Sequence, residues 1–310
     1  MQKHTVFNAL KVFLLPVTVF VVFSFLQPDR FFNIQTIYII LQQSFIPSVV
    51  AWGLCFVMTL GMYDMSVGGI LILVSILAGK LAGNFSGITG IIILFVSSVV
   101  FGTLVEMINA TVYRLLRIPS LIVTIGLVMV YETVGNYLKG VVLPFEISLF
   151  GRAPFNIILG LIAMYIAYFI YNKTRIGIHI QAVGGSEPVA KNSGIHVDRI
   201  KSEAFVICGF FVGIASCMSI SYGGIIMPST QLDSISRIFP PMMGYFIGLA
   251  LQKYCNMIVG IFIGEFVVNM ITTGMIAINI PTTYQQVVTG FFLILVSGIA
   301  SRGQKDEVVK

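Results

Sequence analysis

Four carboxylates stand inside or at the edge of apolar runs in this 310-residue chain: Asp64, Glu106, Glu132 and Glu265. A charged group at mid-bilayer costs about 2.5–3.5 kcal/mol on insertion scales, so each marks a functional site or a specific partner. Glu265 is the most deeply placed. It serves either as a coupling carboxylate or as a hydrogen-bonding group for a neighbouring helix. Glu106 lies nearer an inner helix end, where Arg114 or another cation offers a partner. Glu132 falls toward the outer third of its helix. Asp64 precedes Ser66-Val67-Gly68-Gly69, a position suited to capping the next helix, and the Gly pair allows close helix approach. Ser66, Asn109, Thr124 and Asn136 are neutral hydrogen-bonding groups that would suit a hydroxyl-rich solute along a pathway. Trp52 is the single Trp, so no aromatic platform stands out.

Enzymatic signatures are missing. No GxxxxGK[ST], HExxH or GxSxG occurs, and the nearest approach to a nucleotide loop, Ala78-Gly79-Lys80-Leu81, lacks the spaced first Gly and the hydroxyl residue. Cys55, Cys208, Cys217 and Cys255 show no metal-ligand spacing and read as buried free thiols. Neither a metal nor a cofactor site is expected in this chain. His4, His179 and His196 read as solvated groups at one membrane surface.

The elements that must position these residues are membrane helices. The chain is 57% hydrophobic and 10% charged, with a mean hydropathy of +0.98, far outside the soluble globular range. Apolar runs of roughly 20 residues suit helices crossing a hydrocarbon core about 30 Å thick, not the short alternating strands of a barrel. Such runs fall at about 8–27, 37–57, 66–83, 88–112, 119–138, 155–172, 204–223, 237–251, 256–276 and 284–300. The expected fold is an all-α polytopic membrane protein of about ten transmembrane helices, forming one domain over residues 1–310. Pro47, Pro240 and Pro241 could mark kinks or half-helices. The basic N-terminal run has no small-x-small cleavage site and reads as an uncleaved first helix.

An even helix count places both termini on one side. With that side cytoplasmic, Lys3, Lys11, Arg114, Arg117, Lys173, Arg175, Lys191, Arg199, Lys201, Lys253, Arg302, Lys305 and Lys310 lie inside. Arg30, Lys80, Lys139, Arg152 and Arg237 lie outside, so the positive-inside bias is clear. The net charge of +6 is thus an orientation signal, and no nucleic-acid partner is expected. Gly102 to Gly126 and Gly264 to Gly290 both run from a Gly through an Asn to a helix-breaking Ile-Pro and then a Val-Thr near a Gly. That echo suggests a 5+5 inverted repeat with halves at about 30–170 and 200–300.

The largest cytoplasmic loop, about 173–203, joins the sixth and seventh helices. Its centre, Gly184 to Gly194, has the grammar of a helix of about two turns. Ser186 can cap, Glu187 suits the positive end, Pro188 is tolerated in the first turn and Gly194 supplies a left-handed stop. It reads either as a plain surface helix or as a docking element for a partner groove.

Three ordered stretches carry a family resemblance. Thr174-x-x-Gly177, Ala182-x-Gly184, Ala190 and Ser193-Gly194-Ile195-x-Val197 resemble a T-x-x-G…A-x-G-x-N-x-x-A-A-x-x-S-G-I-x-V pattern. Gly61-Met62-Tyr63-Asp64-Met65-Ser66-Val67-Gly68 resembles G-G-I-D-L-S-V-G, and Ile118 to Gly126 resembles V-P-P-F-I-V-T-L-G. These are patterns of the ribose-type permease subunits of bacterial ATP-binding-cassette importers. The resemblance implies a subunit of the inner membrane that imports a sugar or related small polar solute. Its partners would be two ATPase subunits carrying ATP and magnesium, a second permease in a homodimer or heterodimer, and an extracytoplasmic binding protein. Gly184, Gly185, Ser186, Glu187, Ala190, Lys191, Ser193 and Gly194 would then form the coupling helix that meets the ATPase. Asp64, Ser66, Glu106, Asn109, Thr124, Asn136 and Glu265 are candidates for the pathway. The chain departs from the pattern at Ile238 to Gly260, at Thr272-Thr273-Gly274, and at Glu106 and Glu265, where the family has small residues. The alternative is an ion-coupled carrier using Glu106 or Glu265.

Overall fold

The computed structural model describes residues 2–31, 33–281, 284–285, 287–292, 294–295 and 298. The expected tenth segment, 284–300, is therefore only partly described, and Arg302, Lys305 and Lys310 lie outside the described residues. Twelve helices are described in chain order. The first is α1 (Gln2–Leu26), and after it come α2 (Pro28–Phe31), α3 (Ile34–Thr59), α4 (Val67–Ala82), α5 (Gly87–Leu116) and α6 (Ser120–Leu138). Then follow α7 (Phe155–Lys173), α8 (Arg175–Gly185), α9 (Glu187–Asn192), α10 (Val197–Gly223), α11 (Phe239–Leu251) and α12 (Met257–Ala277). Six are long and apolar enough to cross a membrane among the described residues: α3, α5, α6, α7, α10 and α12. The chain is a multi-pass, all-helical membrane protein.

The prolines act differently from one another. Helix α3 runs unbroken through Pro47. In α11, Pro240 and Pro241 fall in the first turn, where a missing N–H costs nothing because no intrahelical acceptor awaits it. They start the helix instead of splitting it.

Two compact units divide the chain. One comprises Met1–Ala51 and Phe239–Lys310; the other is Trp52–Ile238. In the first, α11 and α12 pack through glycine: a Cβ on Gly264 would meet the Gly244 carbonyl at 2.7 Å, and one on Gly260 would lie 3.1 Å from Gly248. Small residues let backbones approach where no hydrophobic effect drives association. A second apolar cluster there is Phe31, Ile40 and Met270.

In the second unit α5 and α10 form the most extensive helix pair. Gly102 meets Gly209 and Gly213 across the crossing, with virtual Cβ distances of 2.6–2.8 Å, so any side chain at Gly102 would force these helices apart. The connectors after α6 and α10 are tied by two short antiparallel strands, β1 (Val141–Val142) and β2 (Ile225–Ile226), with Val141 opposite Ile226. Beneath them Ile76, Leu94, Ile147, Cys217 and Ile220 make a dry core. Cys55, Cys208 and Cys217 are buried and Cys255 is partly so, and all four are free thiols as expected.

Candidate functional site

The turn between α3 and α4 collects the polar residues of the second unit. Asp64 is buried and accepts from the backbone N–H of Ser66 at 2.9 Å and from its hydroxyl at 2.5 Å. This is an Asx turn rather than the expected helix cap, because the Ser66 side chain is spent on Asp64 and makes no cap bond of its own. The turn is pinned from α6: the Tyr63 N–H donates to Ser120 Oγ at 3.1 Å and the Met65 N–H to Thr124 Oγ1 at 3.0 Å. Gly68 at the start of α4 faces the Ser234 carbonyl so closely that a Cβ would collide with it.

From α5, Asn109 Nδ2 donates to Ser66 Oγ at 2.7 Å and to Glu106 Oε2 at 2.8 Å. Its carbonyl oxygen accepts from the Tyr131 hydroxyl of α6 at 2.6 Å. Both N–H groups of the amide are thereby used. Glu106 is fully buried beside Asp64 and Cys208. The expected pairing of Glu106 with Arg114 is not found. Arg114 instead lines a separate cleft of about 480 Å³ with Glu187, Lys191, Gly194 and His196. Glu106 sits two turns below Arg114 on α5, so its short side chain reaches the α3–α4 turn and not the helix end. Tyr131 joins this network and Cys208 lies beside it; a Tyr or Cys on an apolar face does not signal such a placement by itself.

Glu132, one residue further along α6, latches a distant segment. Its Oε2 accepts from the Leu232 N–H at 2.9 Å, and its Oε1 accepts from the Ser234 N–H at 3.0 Å and the Ser234 hydroxyl at 2.6 Å. Asn136 sits one turn on and donates to the carbonyls of Glu132 and Ser229 at 2.9 and 2.8 Å. A carboxylate with three donors is fully employed, which explains its presence in an apolar helix. Glu265 stands apart on α12 in the first unit. It is fully buried against the Gly244 backbone, and neither carboxyl oxygen has a side-chain partner among the described residues.

The polar stretch 173–203 is more ordered than expected. It begins with α8, a helix where a loop was expected. Thr174 Oγ1 caps it, accepting from the Gly177 N–H at 3.2 Å. The end of α8 rests on α3: a Cβ on Gly184 would collide with the Thr59 carbonyl. Gly185 has open space around it. Helix α9 then covers Glu187–Asn192, with Pro188 in its first turn. Ser186 occupies the N-cap position without a side-chain cap bond, which corrects the expectation. The second helical residue is Pro188, which removes one of the two N–H groups, at the second and third helical positions, that a cap can receive. Glu187 instead pairs with Lys201 Nζ at 2.9 Å. Ala190 is buried, Lys191 is exposed, and Ser193 Oγ donates to the Val189 carbonyl at 3.0 Å. Gly194 takes φ +83°, the left-handed stop, and its N–H donates to Lys191 O at 3.1 Å.

The three stretches that carried the resemblance therefore meet at one place. The turn after α3 holds Asp64, the start of α6 pins that turn, and the end of α8 rests on Thr59.

The profile of the family described as "Branched-chain amino acid transport system / permease component" matches residues 36–297. The ribose import permease protein of Escherichia coli K12 is 25% identical over 88% of this chain and 87% of its own length. That of Bacillus subtilis is 29% identical over 88% and 84%. The L-arabinose ABC transporter permease protein of Azospirillum brasilense is 26% identical over 79% and 74%. No solved structure matches the chain. With the profile spanning nearly every described membrane helix, the chain belongs to the branched-chain amino acid transport system / permease component family.

Proposed function

We propose that this chain is the translocation subunit of an ATP-binding-cassette importer whose solute is a sugar or a related small polar molecule. The observation that carries this reading is the family match over residues 36–297, joined by relatives named for the import of ribose and L-arabinose. The chain supplies the permease, and separate ATPase subunits supply ATP hydrolysis with their ATP and magnesium. An extracytoplasmic binding protein delivers the solute, and a second permease completes the pore. An ion-coupled carrier built on Glu106 or Glu265 gains no support from these relatives.

In this reading the bundle has ten spans in two inverted halves of five, sits in the bacterial inner membrane and keeps both termini cytoplasmic. The expected basic bias of the inner loops supports that orientation. Helix α9 docks on the ATPase. Isolated in water, six residues of helix would not persist; its buried Ala190, its left-handed stop and the brace of α8 favour a preformed docking element. Gly184 of α8 presses on Thr59, five residues before Asp64. A shift of the docked helix would thus reach the α3–α4 turn and the polar network behind it, biasing the bundle between inward-open and outward-open states.

The test is a cysteine at Lys191, which is exposed. Crosslinking of Lys191→Cys to a co-expressed ATPase subunit, and loss of transport with retained assembly in Gly194→Val, is the expected outcome. Valine is not tolerated at φ +83°. Full transport in Gly194→Val together with no crosslink would overturn the docking role.

A further inference from the structure

The hydrogen-bond account of the buried network leaves a defined remainder. Its donors are the Ser66 N–H and hydroxyl, both N–H groups of Asn109 and the Tyr131 hydroxyl, and all five are committed. Two acceptors, Asp64 Oδ2 and Glu106 Oε1, are buried and receive no N–H or hydroxyl from any neighbouring residue, while the two carboxyl groups lie within hydrogen-bonding reach of each other. They come from different elements, the α3–α4 turn and α5, and lie beside Cys208 of α10. One carboxyl oxygen from each acid and the Cys208 sulfur all lie within 4.8 Å of one another. The two ion pairs among the described residues, Arg199 with Glu203 and Lys201 with Glu187, lie elsewhere. Two acids thus face each other in a low-dielectric interior with no cationic side chain bonded to either.

We propose that Asp64, Glu106 and Cys208 form a metal site for one borderline divalent cation of the zinc class. The donor set decides the class. Magnesium and calcium prefer all-oxygen shells of six or more ligands, whereas a mixed set of two carboxylates and a sulfur, with one position open, suits tetrahedral zinc or cobalt. An ion about 2.0–2.3 Å from each ligand needs its ligands within roughly 4 Å of one another, so small side-chain adjustments close the set. A divalent ion also balances the two carboxylate charges, and it would tie the α3–α4 turn, α5 and α10 together. Asn109 and Ser66, which hold the opposite oxygens of the two acids, supply the outer hydrogen bonds that orient metal ligands. This revises the sequence reading, in which no metal was expected and these two acids had separate roles.

The experiment uses the permease co-purified with its ATPase subunits through a tag without histidines. The metal is zinc at low micromolar concentration, counted per chain by mass spectrometry after gel filtration. One zinc per chain is expected. Glu106→Gln and Asp64→Asn should each lower occupancy at least tenfold, and Cys55→Ser should leave it unchanged. Cobalt substitution should give a thiolate-to-metal absorption band that Cys208→Ser abolishes. Cys208 takes no part in the hydrogen bonds described for the network, so that variant keeps the test decisive if an acid variant fails to fold. Substoichiometric zinc in the parent complex, or zinc that survives all three ligand variants, would overturn the site. The two acids would then be neutralised by protons. Zinc counting does not depend on transport, so its outcome is separate from that of the importer reading.

Discussion

Glu106 and Glu265 are both fully buried on apolar helices, yet their surroundings have little in common. Glu106 stands among Asp64, Ser66, Asn109, Tyr131 and Cys208, drawn from four elements of one compact unit. Glu265 lies on a glycine-lined helix contact in the other unit, with its carboxyl over the Gly244 backbone and no side-chain partner on either oxygen among the described residues. Polar networks inside a protein specify structure when nearly complete, while an isolated buried acid contributes mainly its desolvation cost. The contrast teaches that a carboxylate in a membrane run is not one kind of signal. Its meaning depends on how many donors the fold gathers around it.

The strongest way to break this contrast is Asn109→Leu. It strips Ser66, Glu106 and Tyr131 of partners at once, and each buried polar group left unpaired costs about 1–3 kcal/mol. A loss of roughly 3–5 kcal/mol is expected, read as a large fall in the apparent Tm of the purified complex. Next come the paired variants Glu106→Met and Glu265→Met. The first should destabilise by about 1–3 kcal/mol, because it leaves one buried N–H of Asn109 unmatched. The second should be neutral or stabilising by about 1 kcal/mol, as apolar replacement of an uncompensated buried charge tends to be. Equal effects in the two positions would erase the distinction.

A smaller effect sharpens the Glu265 side. Gly244→Ala should cost about 1–3 kcal/mol by overpacking against the Glu265 carboxyl, and the Glu265→Ala background should relieve most of it in a double-mutant cycle. The smallest effect concerns the cytoplasmic helices. Thr174→Ala should cost about 1 kcal/mol because Thr174 caps α8, while Ser186→Ala should change stability by less than about 0.5 kcal/mol because Ser186 caps nothing. Hydrogen exchange of α8 and α9 reads both.

Much of this was legible in the sequence. Apolar run lengths matched the six helices that are long and apolar enough to cross a membrane among the described residues, and the Gly194 stop followed from the short list of residues that accept a positive φ. The adjacency of Asp64 and Glu106 was not legible. They are separated by 42 positions, and their contact depends on the packing of α4 and the turn before it against α5, which no hydropathy pattern encodes. Glu132 likewise finds its donors about 100 positions away, at Leu232 and Ser234. Helix α8 was missed because its polar residues suggest a loop, and its ordering depends on the Thr174 cap and on packing against Thr59. Ser186 stands at the N-cap position with no cap bond, because residue type marks where a helix starts and Pro188 leaves a cap one donor fewer.

The central claim, an ATP-driven permease subunit, is tested most directly by solute uptake into liposomes. The purified complex of this chain with its ATPase and binding-protein partners is reconstituted, and labelled pentose is supplied with the binding protein on one side and ATP on the other. The account predicts uptake that requires both ATP and the binding protein and that stops in Gly194→Val. Uptake by this chain alone, driven by a pH gradient and abolished by Glu265→Gln, would contradict it.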